Sequence, residues 1–243
     1  MKRFFLAVIL ATTLALTSCQ FEDSDILTPP DDICLTMDDV KFMEYCYQNF
    51  DVNKDGKVSP VEAEAVRNIN ICRMDIYSIK GIEYFKILET LDAAETPLTN
   101  VDLSLNNKLI DFSFYTCSEL ESVILPSNIT SIDGNTFKEC ISLTSITIPD
   151  GVSSIGSWAF SRCVSLTSVT IGNSVTTIGE GAFNGCSLTS LYCKPTIPPT
   201  TSDYIFTSKA PDFKIYVPHN SVDAYKTAKG WKKCAKYIVG YDF

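Results

Sequence analysis

Three stretches of this chain can be laid over one another: ITSIDGNTFKECISLTSITIPD (129–150), VSSIGSWAFSRCVSLTSVTIGN (152–173) and VTTIGEGAFNGCSLTSLYC (175–193). Ile132, Ile155 and Ile178 recur every 23 residues, and so do Phe137, Phe160, Phe183 and Cys140, Cys163, Cys186. Leu143 and Leu166 keep the period; the third copy drops one residue, so its leucine arrives at Leu188. Phe114, Cys117, Leu120 and Val123 fit the same template one copy earlier. A fixed period of this length confines a chain to architectures in which like units stack.

A strand pattern, L-x-x-Φ-x-Φ with Φ apolar, starts at Leu98, Leu109, Leu120, Leu143, Leu166 and Leu188, with Cys193 in the last slot of the final copy. Strand side chains alternate, so the marked residues face inward and the x residues outward. Each unit has a second short stretch, such as Val152–Ile155 or Val175–Ile178, and a turn between the two that carries the inward Phe and Cys. One such unit cannot bury its own apolar side, but a stack can. The expected fold is a right-handed solenoid of short β-strands and turns, with rungs about 4.8 Å apart.

These residues carry a resemblance. The SIGxxAFxxCxSLTSΦxΦP pattern resembles the BspA-like leucine-rich repeat, the variety with a cysteine in each turn. The segment LTNVDLSLNNKLIDF (98–112) is similar to an ordinary leucine-rich turn, and SIKGIEYFKILETLDA (78–93) resembles the opening repeat of such arrays. The solenoid is expected over 76–193, with an α+β cap over 194–243 in which Pro195, Pro198 and Pro199 stop the repeats. Phe213–Val217 reads as a final strand, and Ser221 as the N-cap of a short helix ending near Trp231. The cap should protect the last rung from edge pairing.

Ahead of the repeats, DVNKDGKVSPVE (51–62) sets Asp51, Asn53 and Asp55 at positions 1, 3 and 5 of a twelve-residue window. Gly56 stands at 6, the Lys57 carbonyl at 7, Ser59 at 9 and Glu62 at 12. Hard oxygens in that order suit Ca²⁺. Val40, Met43, Tyr47 and Phe50 are placed on one face of an incoming helix capped by Thr36. Pro60, with Ser59 and Glu62 as a capping box, starts an exit helix through Val66 and Ile69. The segment resembles EF-hand and dockerin-type loops, which come in pairs, so a small helical EF-hand-like cap is expected over 34–75. Val58 then needs a partner other than a sister loop, and the first solenoid rung is expected to supply it.

The ten cysteines invite other readings. Cys117, Cys140, Cys163 and Cys186 share the repeat period, so their side chains point the same way, which favours a buried thiol ladder over disulfides. No CxxC pair and one histidine argue against zinc. A disulfide among Cys34, Cys46 and Cys72, or between Cys193 and Cys234, stays open.

MKRFFLAVILATTLALTSCQ opens the chain: Lys2 and Arg3, an apolar run over 4–16 too short for a comfortable span, then Leu16-Thr-Ser-Cys19. It resembles a bacterial lipoprotein signal peptide (1–18) with lipidation at Cys19. The acidic, proline-bearing stretch after it reads as a flexible tether over 19–33. Gln20, Glu22 and Asp23 resemble the export signal of Bacteroidetes surface lipoproteins, which implies the outer membrane and the cell surface, with the periplasmic face as alternative.

The formal net charge of −9 argues against a nucleic-acid partner. His219 follows Pro218 with no nucleophile motif, and no phosphate loop or acid pair is present, so the chain reads as non-enzymatic. Thr144, Ser145, Thr147, Thr167, Ser168, Thr170, Thr189, Ser190 and Tyr192 form an outward ladder that turns acidic and apolar at Asp102, Ile110, Asp111, Glu121 and Ile124. Ile110, Ile124, Thr147, Thr170 and Tyr192 are the candidate ligand-binding residues. The resemblance implies adhesion to host proteins or glycans, including extracellular matrix, or to other cells. The alternative is a structural subunit of an envelope or polysaccharide-handling complex, with calcium stabilising in either case.

Overall fold

A rung that must turn and return within about 23 residues has room only for short strands, and here they run two to five residues. The computed structural model describes residues 30–202, 205–206 and 210–243; the targeting segment, Cys19 and the tether up to residue 29 lie outside them. In chain order the strands are β1 (Asn68–Asn70), β2 (Thr90–Asp92), β3 (Asn100–Asp102), β4 (Asp111–Ser113), β5 (Ser122–Ile124), β6 (Ser131–Ile132) and β7 (Ser145–Thr147). They continue as β8 (Ser154–Ile155), β9 (Ser168–Ile171), β10 (Thr177–Ile178), β11 (Ser190–Cys193), β12 (Thr200–Thr201), β13 (Lys214–Pro218) and β14 (Ile238–Tyr241). The helices are α1 (Val40–Phe50), α2 (Pro60–Ala63) and α3 (Val222–Thr227).

The strands fall into two rows, all pairs parallel. One row holds the sheets β1-β2-β4 and β6-β8-β10-β12; the other holds β3-β5 and β7-β9-β11-β13-β14. The period sets the register: Ser131, Ser154 and Thr177 lie opposite one another, as do Ser145 and Ser168. The missing residue of the third copy is absorbed outside the strands, so Ser168 still faces Ser190. Every inward residue of the strand pattern is buried, from Leu98, Val101 and Leu103 to Leu188, Leu191 and Cys193.

Between the rows run two ladders. Phe114, Phe137, Phe160 and Phe183 stack with centroids 5.5, 5.2 and 5.4 Å apart and planes within 11°. Phe206, a further 23 residues on, extends them at 6.1 Å. Beside them each cysteine donates its thiol to the phenylalanine carbonyl of the rung before: Cys140 to Phe114, Cys163 to Phe137 and Cys186 to Phe160, at 3.0, 3.0 and 3.1 Å. The same carbonyls also accept the cysteine N–H of their own rung. Burial pushes these thiols up, Cys186 to about 12, so they stay protonated donors. The turns use left-handed backbone at matching places, Asn135, Trp158 and Gly181, with φ near 62–64°. Glycine suits position 181, since a Cβ there would lie 2.4 Å from the Trp158 ring in its present place.

The N-terminal segment departs from the sequence reading in four ways. The exit helix stops at Ala63 instead of reaching Ile69, which becomes the first inward residue of the stack on β1. The residue between, Val66, is partly buried beyond the helix end. Asp39, not Thr36, caps α1, accepting the N–H groups of Lys41 and Phe42. Asp is the better cap because its carboxylate reaches two free donors at the positive helix end. Of the expected α1 face, Met43, Tyr47 and Phe50 are partly buried against the core, but Val40 is exposed and the fully buried positions are Phe42 and Cys46. The tether ends sooner than 33, because Asp32 and Ile33 are already buried.

At the other end Phe213 is buried and β13 follows it, but it is not the last strand: β14 pairs with it, Ile215 opposite Ile238. The helix after Ser221 is only α3, and Ser221 makes no side-chain capping bond. Trp231, beyond it, donates its indole N–H to the Pro199 carbonyl at 2.8 Å. None of the nine cysteines among the described residues is in a disulfide, Cys193 and Cys234 included.

The thiol ladder generates a test. Cys163→Ala removes a donor to a buried carbonyl and leaves a small void, and should destabilise the chain by about 1–2 kcal/mol in denaturant unfolding. Cys72→Ala, at a half-exposed position, should change stability by less than about 0.5 kcal/mol. Equal effects would mean that the ladder bonds contribute nothing.

Candidate functional site

The second row presents its outward residues in one line. Asp102 pairs with Ile124, Thr147 with Thr170, Thr170 with Tyr192, Tyr192 with Tyr216, and Tyr216 with Val239. Four of the five candidate ligand-binding residues, Ile124, Thr147, Thr170 and Tyr192, therefore share one face. Ile110 does not. It immediately precedes β4, and its N–H bonds to Glu89 in the first row. The L-x-x-Φ-x-Φ pattern at Leu109 is met equally by a strand of either row, so spacing within the motif could not separate them.

At the C-terminal end this line becomes aromatic. Tyr192 and Tyr216 stack with centroids 4.7 Å apart, and Tyr241 stands edge-on to both at 5.5 and 5.4 Å. Phe243 adds an edge contact with Tyr241 at 5.1 Å. Tyr241 and Phe243 remain 40% and 51% exposed, enough to offer an apolar surface to a partner. The sequence reading missed Tyr216, Tyr241 and Phe243. KIYVP alternates like SLYC, which would have placed Tyr216 outward, whereas β14 has no repeat pattern to reveal it.

Toward the N-terminal end the line crosses a break, because β5 and β7 belong to different sheets. A groove of about 420 Å³ lies on one side, lined by residues that include Ile79, Asn100, Asp102 and Leu105. A second, of about 640 Å³, lies over the break and runs past Ser145 and Thr147 to Asp150 and Lys194. Ser122 and Ile124 line both, and Ile124 is 55% exposed between them. The Lys194 ammonium meets the Asp150 carboxylate at 3.3 Å, giving the second groove a charged rim.

The loop at 51–62 is wound by its own side chains. Asp51 accepts the N–H groups of Asp55 and Gly56 at 3.2 and 3.0 Å. Asn53 Oδ1 accepts from the Asp55 N–H at 2.9 Å, and Asp55 accepts from Lys57 at 3.0 Å. Glu62 Oε1 accepts from Val52 and Asn53, and Oε2 from the Ser59 N–H and hydroxyl. Ser59 in turn accepts the Glu62 N–H, which completes the capping box of α2. Gly56 has φ +83°, the left-handed turn expected of it. A carboxylate oxygen that takes one N–H keeps a second lone pair, so this donor set suits a hard cation. The carboxylates are nevertheless turned toward the backbone, and among the described residues no three His, Cys, Asp or Glu side chains converge tightly enough to hold a metal ion.

The loop's neighbours differ from expectation. Val58 pairs with the segment before α1, not with a solenoid rung: its carbonyl accepts the Ile33 N–H at 2.9 Å and its N–H donates to Asp32 Oδ1 at 3.2 Å. Asp32 also accepts the Tyr47 hydroxyl at 2.6 Å. The side chain thus supplies the acceptor that a sister strand's carbonyl would give. Contact with the stack comes through Asp39, whose Oδ2 accepts the Tyr77 and Ser78 N–H groups, and through Phe50, edge-on to Phe85 at 5.4 Å. His219 lies exposed over Gly240, its Nε2 3.5 Å from the Asp242 carboxylate.

Hydrogen bonds from the Ser59 N–H and hydroxyl, with those of Asn53 and Val52, hold the Glu62 carboxyl at about 2, against an ordinary 4.5. A carboxyl lowered by folding stabilises the fold above its ordinary value and loses that contribution as pH falls toward its folded one. The loop and α2 should therefore loosen between about pH 4.5 and 2. A carboxyl titration of Glu62 followed by NMR should give a midpoint near 2, and a midpoint near 4.5 would show that the cap is not held this way.

Residues 93–211 match, in six copies, the family described as the BspA type leucine rich repeat region. No curated protein matches the chain. Among solved structures, a leucine rich repeat protein of T. pallidum is 21% identical with a TM-score of 0.35, covering 65% of this chain and 87% of that one. An internalin from Listeria monocytogenes is 14% identical with a TM-score of 0.33, covering 83% and 77%.

Proposed function

We propose that this chain, whose residues 93–211 match the BspA type leucine rich repeat region, is a non-enzymatic binding protein that meets a protein partner on the outward face of its second row. The observation that carries the reading is the content of that single face. Exposed Ile124 stands between two grooves at one end, four aromatic side chains gather at the other, and uncharged Ser and Thr residues lie between. Interfaces draw most of their energy from a few such apolar and aromatic anchors, while short hydroxyl side chains that find hydrogen-bond partners cost less to bury than charges would. Display at the cell surface through a lipidated Cys19 rests on the lipobox-like LTSC, and a Cys19→Ala chain that stays in the membrane fraction would overturn it. Adhesion to host proteins or glycans remains the function that the sequence resemblance implies.

A pull-down with the full chain against host matrix, mucin and the producer's own envelope should yield a partner that Tyr192→Ala or Ile124→Asp weakens at least tenfold while the variant chain remains folded. Retained affinity in both variants, with loss on changing Lys229 or Lys232 instead, would move the site to the C-terminal end.

Calcium is the second element of the proposal, held by Asp51, Asn53, Asp55, the Lys57 carbonyl, Ser59 and Glu62. Its supply of charge would offset the mutual repulsion of the three carboxylates and stiffen the N-terminal segment. Binding weaker than in intracellular sensors, on the order of 10⁻⁴–10⁻³ M, is expected. Added calcium should raise the thermal midpoint of the native chain and leave that of Glu62→Ala unmoved. Calorimetry that detects no heat at about 10 mM calcium, well above that range, removes calcium from the account.

A further inference from the structure

The four most exposed large apolar residues among those described stand at the two ends of the stack. Leu35, Val52 and Val61, 76–77% exposed, belong to the N-terminal segment, and Ile197, 80% exposed, to the loop against the C-terminal cap. Val52 and Val61 flank the Glu62 carboxylate, since the Val52 N–H donates to its Oε1 at 2.9 Å. Ile197 lies between Pro195 and Pro199, whose carbonyls accept the Tyr225 hydroxyl and the Trp231 indole N–H, both at 2.8 Å. The two ends also carry opposite charge. Residues 30–75 hold ten acidic side chains against five basic ones, and residues 214–243 hold six lysines against two aspartates. Asp31, Asp38, Glu44 and Glu64 are exposed at the first end. Lys226, Lys229, Lys232 and Lys236 are exposed at the second, where Tyr225, Trp231 and Cys234 take the inward places. Among the described residues none of these eight charged side chains is in an ion pair.

We propose that the lysine-bearing end of one copy docks on the acidic end of the next, so that the chain associates with itself head to tail. Within one chain neither end can neutralise the other. The strands of the second row, from β3 to β14, separate the ends by roughly 30 Å at the spacing of parallel strands. That is several times the distance over which exposed charges act in physiological salt. A second copy supplies at each end what that end lacks. Its ammonium groups meet carboxylates that have no cation, while lysine stems and Ile197 cover Leu35, Val52 and Val61. Exposed apolar residues rimmed by charge are the usual mark of such a contact, and opposite potentials set its orientation. The two surfaces differ, so the contact is heterologous: every dimer keeps one free end of each kind, and growth continues beyond it. The contact does not draw on Ile124 or Tyr192, so it stands apart from the site on the outward face of the second row.

The test is sedimentation velocity of the full chain over a concentration series reaching about 1 mM, the scale of local concentration among tethered modules. At low salt the wild-type mass should rise past that of a dimer. Salt at about 1 M, where the screening length falls to about 3 Å, should weaken the association at least tenfold. Lys226→Glu, Lys229→Glu and Lys232→Glu together should leave a monomer, and so should Asp31→Lys, Glu44→Lys and Glu64→Lys together. Mixing the two triple variants should restore association, because each then offers the end that the other needs, and the recovery also shows that both are folded. A wild-type chain that stays monomeric at low salt, a mass that stops at the dimer, or association untouched by salt would each overturn the proposal. So would triple variants that associate alone as the wild type does, or a mixture of folded variants that stays monomeric. The wild-type salt series decides even if a variant does not fold.

Discussion

Parallel strands paired rung to rung fix the spacing at which everything inside the solenoid must repeat. A side chain that points inward meets its own counterpart one rung away, so only residues that pack well against themselves can hold the position. Phenylalanine does so by stacking, with centroids between 5.2 and 5.5 Å along the regular stretch. Cysteine does so because it is small and because its thiol reaches the carbonyl of the preceding rung. That bond explains the residue choice better than size alone. Alanine would fit but leave the carbonyl with one donor, and a longer polar side chain would crowd the turn.

The ion pairs that cross between rungs are of another order. Arg73 meets Glu95 at 2.9 Å and Arg162 meets Glu139 at 3.1 Å, 22 and 23 residues apart. They track the repeat faithfully, yet both arginines are well exposed and the glutamates stay open to water, and such pairs contribute little. They record the register; the buried ladders hold it.

What the sequence showed and what it hid follow from the same constraint. Inward positions from Leu98 to Cys193 could be read because a solenoid repeats its core in the chain itself. Which row a strand joins could not be read at Ile110, where the motif is common to both rows. The terminal segments lie outside the repeat, and there the reading failed in detail. The α1 face was read only in part: Met43, Tyr47 and Phe50 do pack against the core, but the fully buried positions, Phe42 and Cys46, face a turn that no periodicity announces. Val58 found its partner in Asp32 and Ile33, residues whose acidic and proline-bearing surroundings looked like tether. The Gly56 turn and the Ser59–Glu62 capping box, by contrast, were legible, because they depend on a local pattern within twelve residues.

The outward positions escape the constraint, and that freedom gives this chain an individual surface. Nothing inside the stack dictates what stands at the places of Asp102, Ile124, Thr147, Thr170, Tyr192 and Tyr216, yet the register sets them in one line. The line changes from acid to apolar to hydroxyl to aromatic along its length. A scaffold needing only solubility would be served by Ser and Thr throughout, since these are good strand formers on a wet face. Exposed isoleucine beside two grooves and a tyrosine cluster at the far end add nothing to that requirement and bring a risk of aggregation. The two apolar stations are separated by the hydroxyl rungs, so a partner engaging both would have to lie along the stack. An extended contact of that kind divides its binding energy between distant anchors, and the loss of either should weaken it without abolishing it.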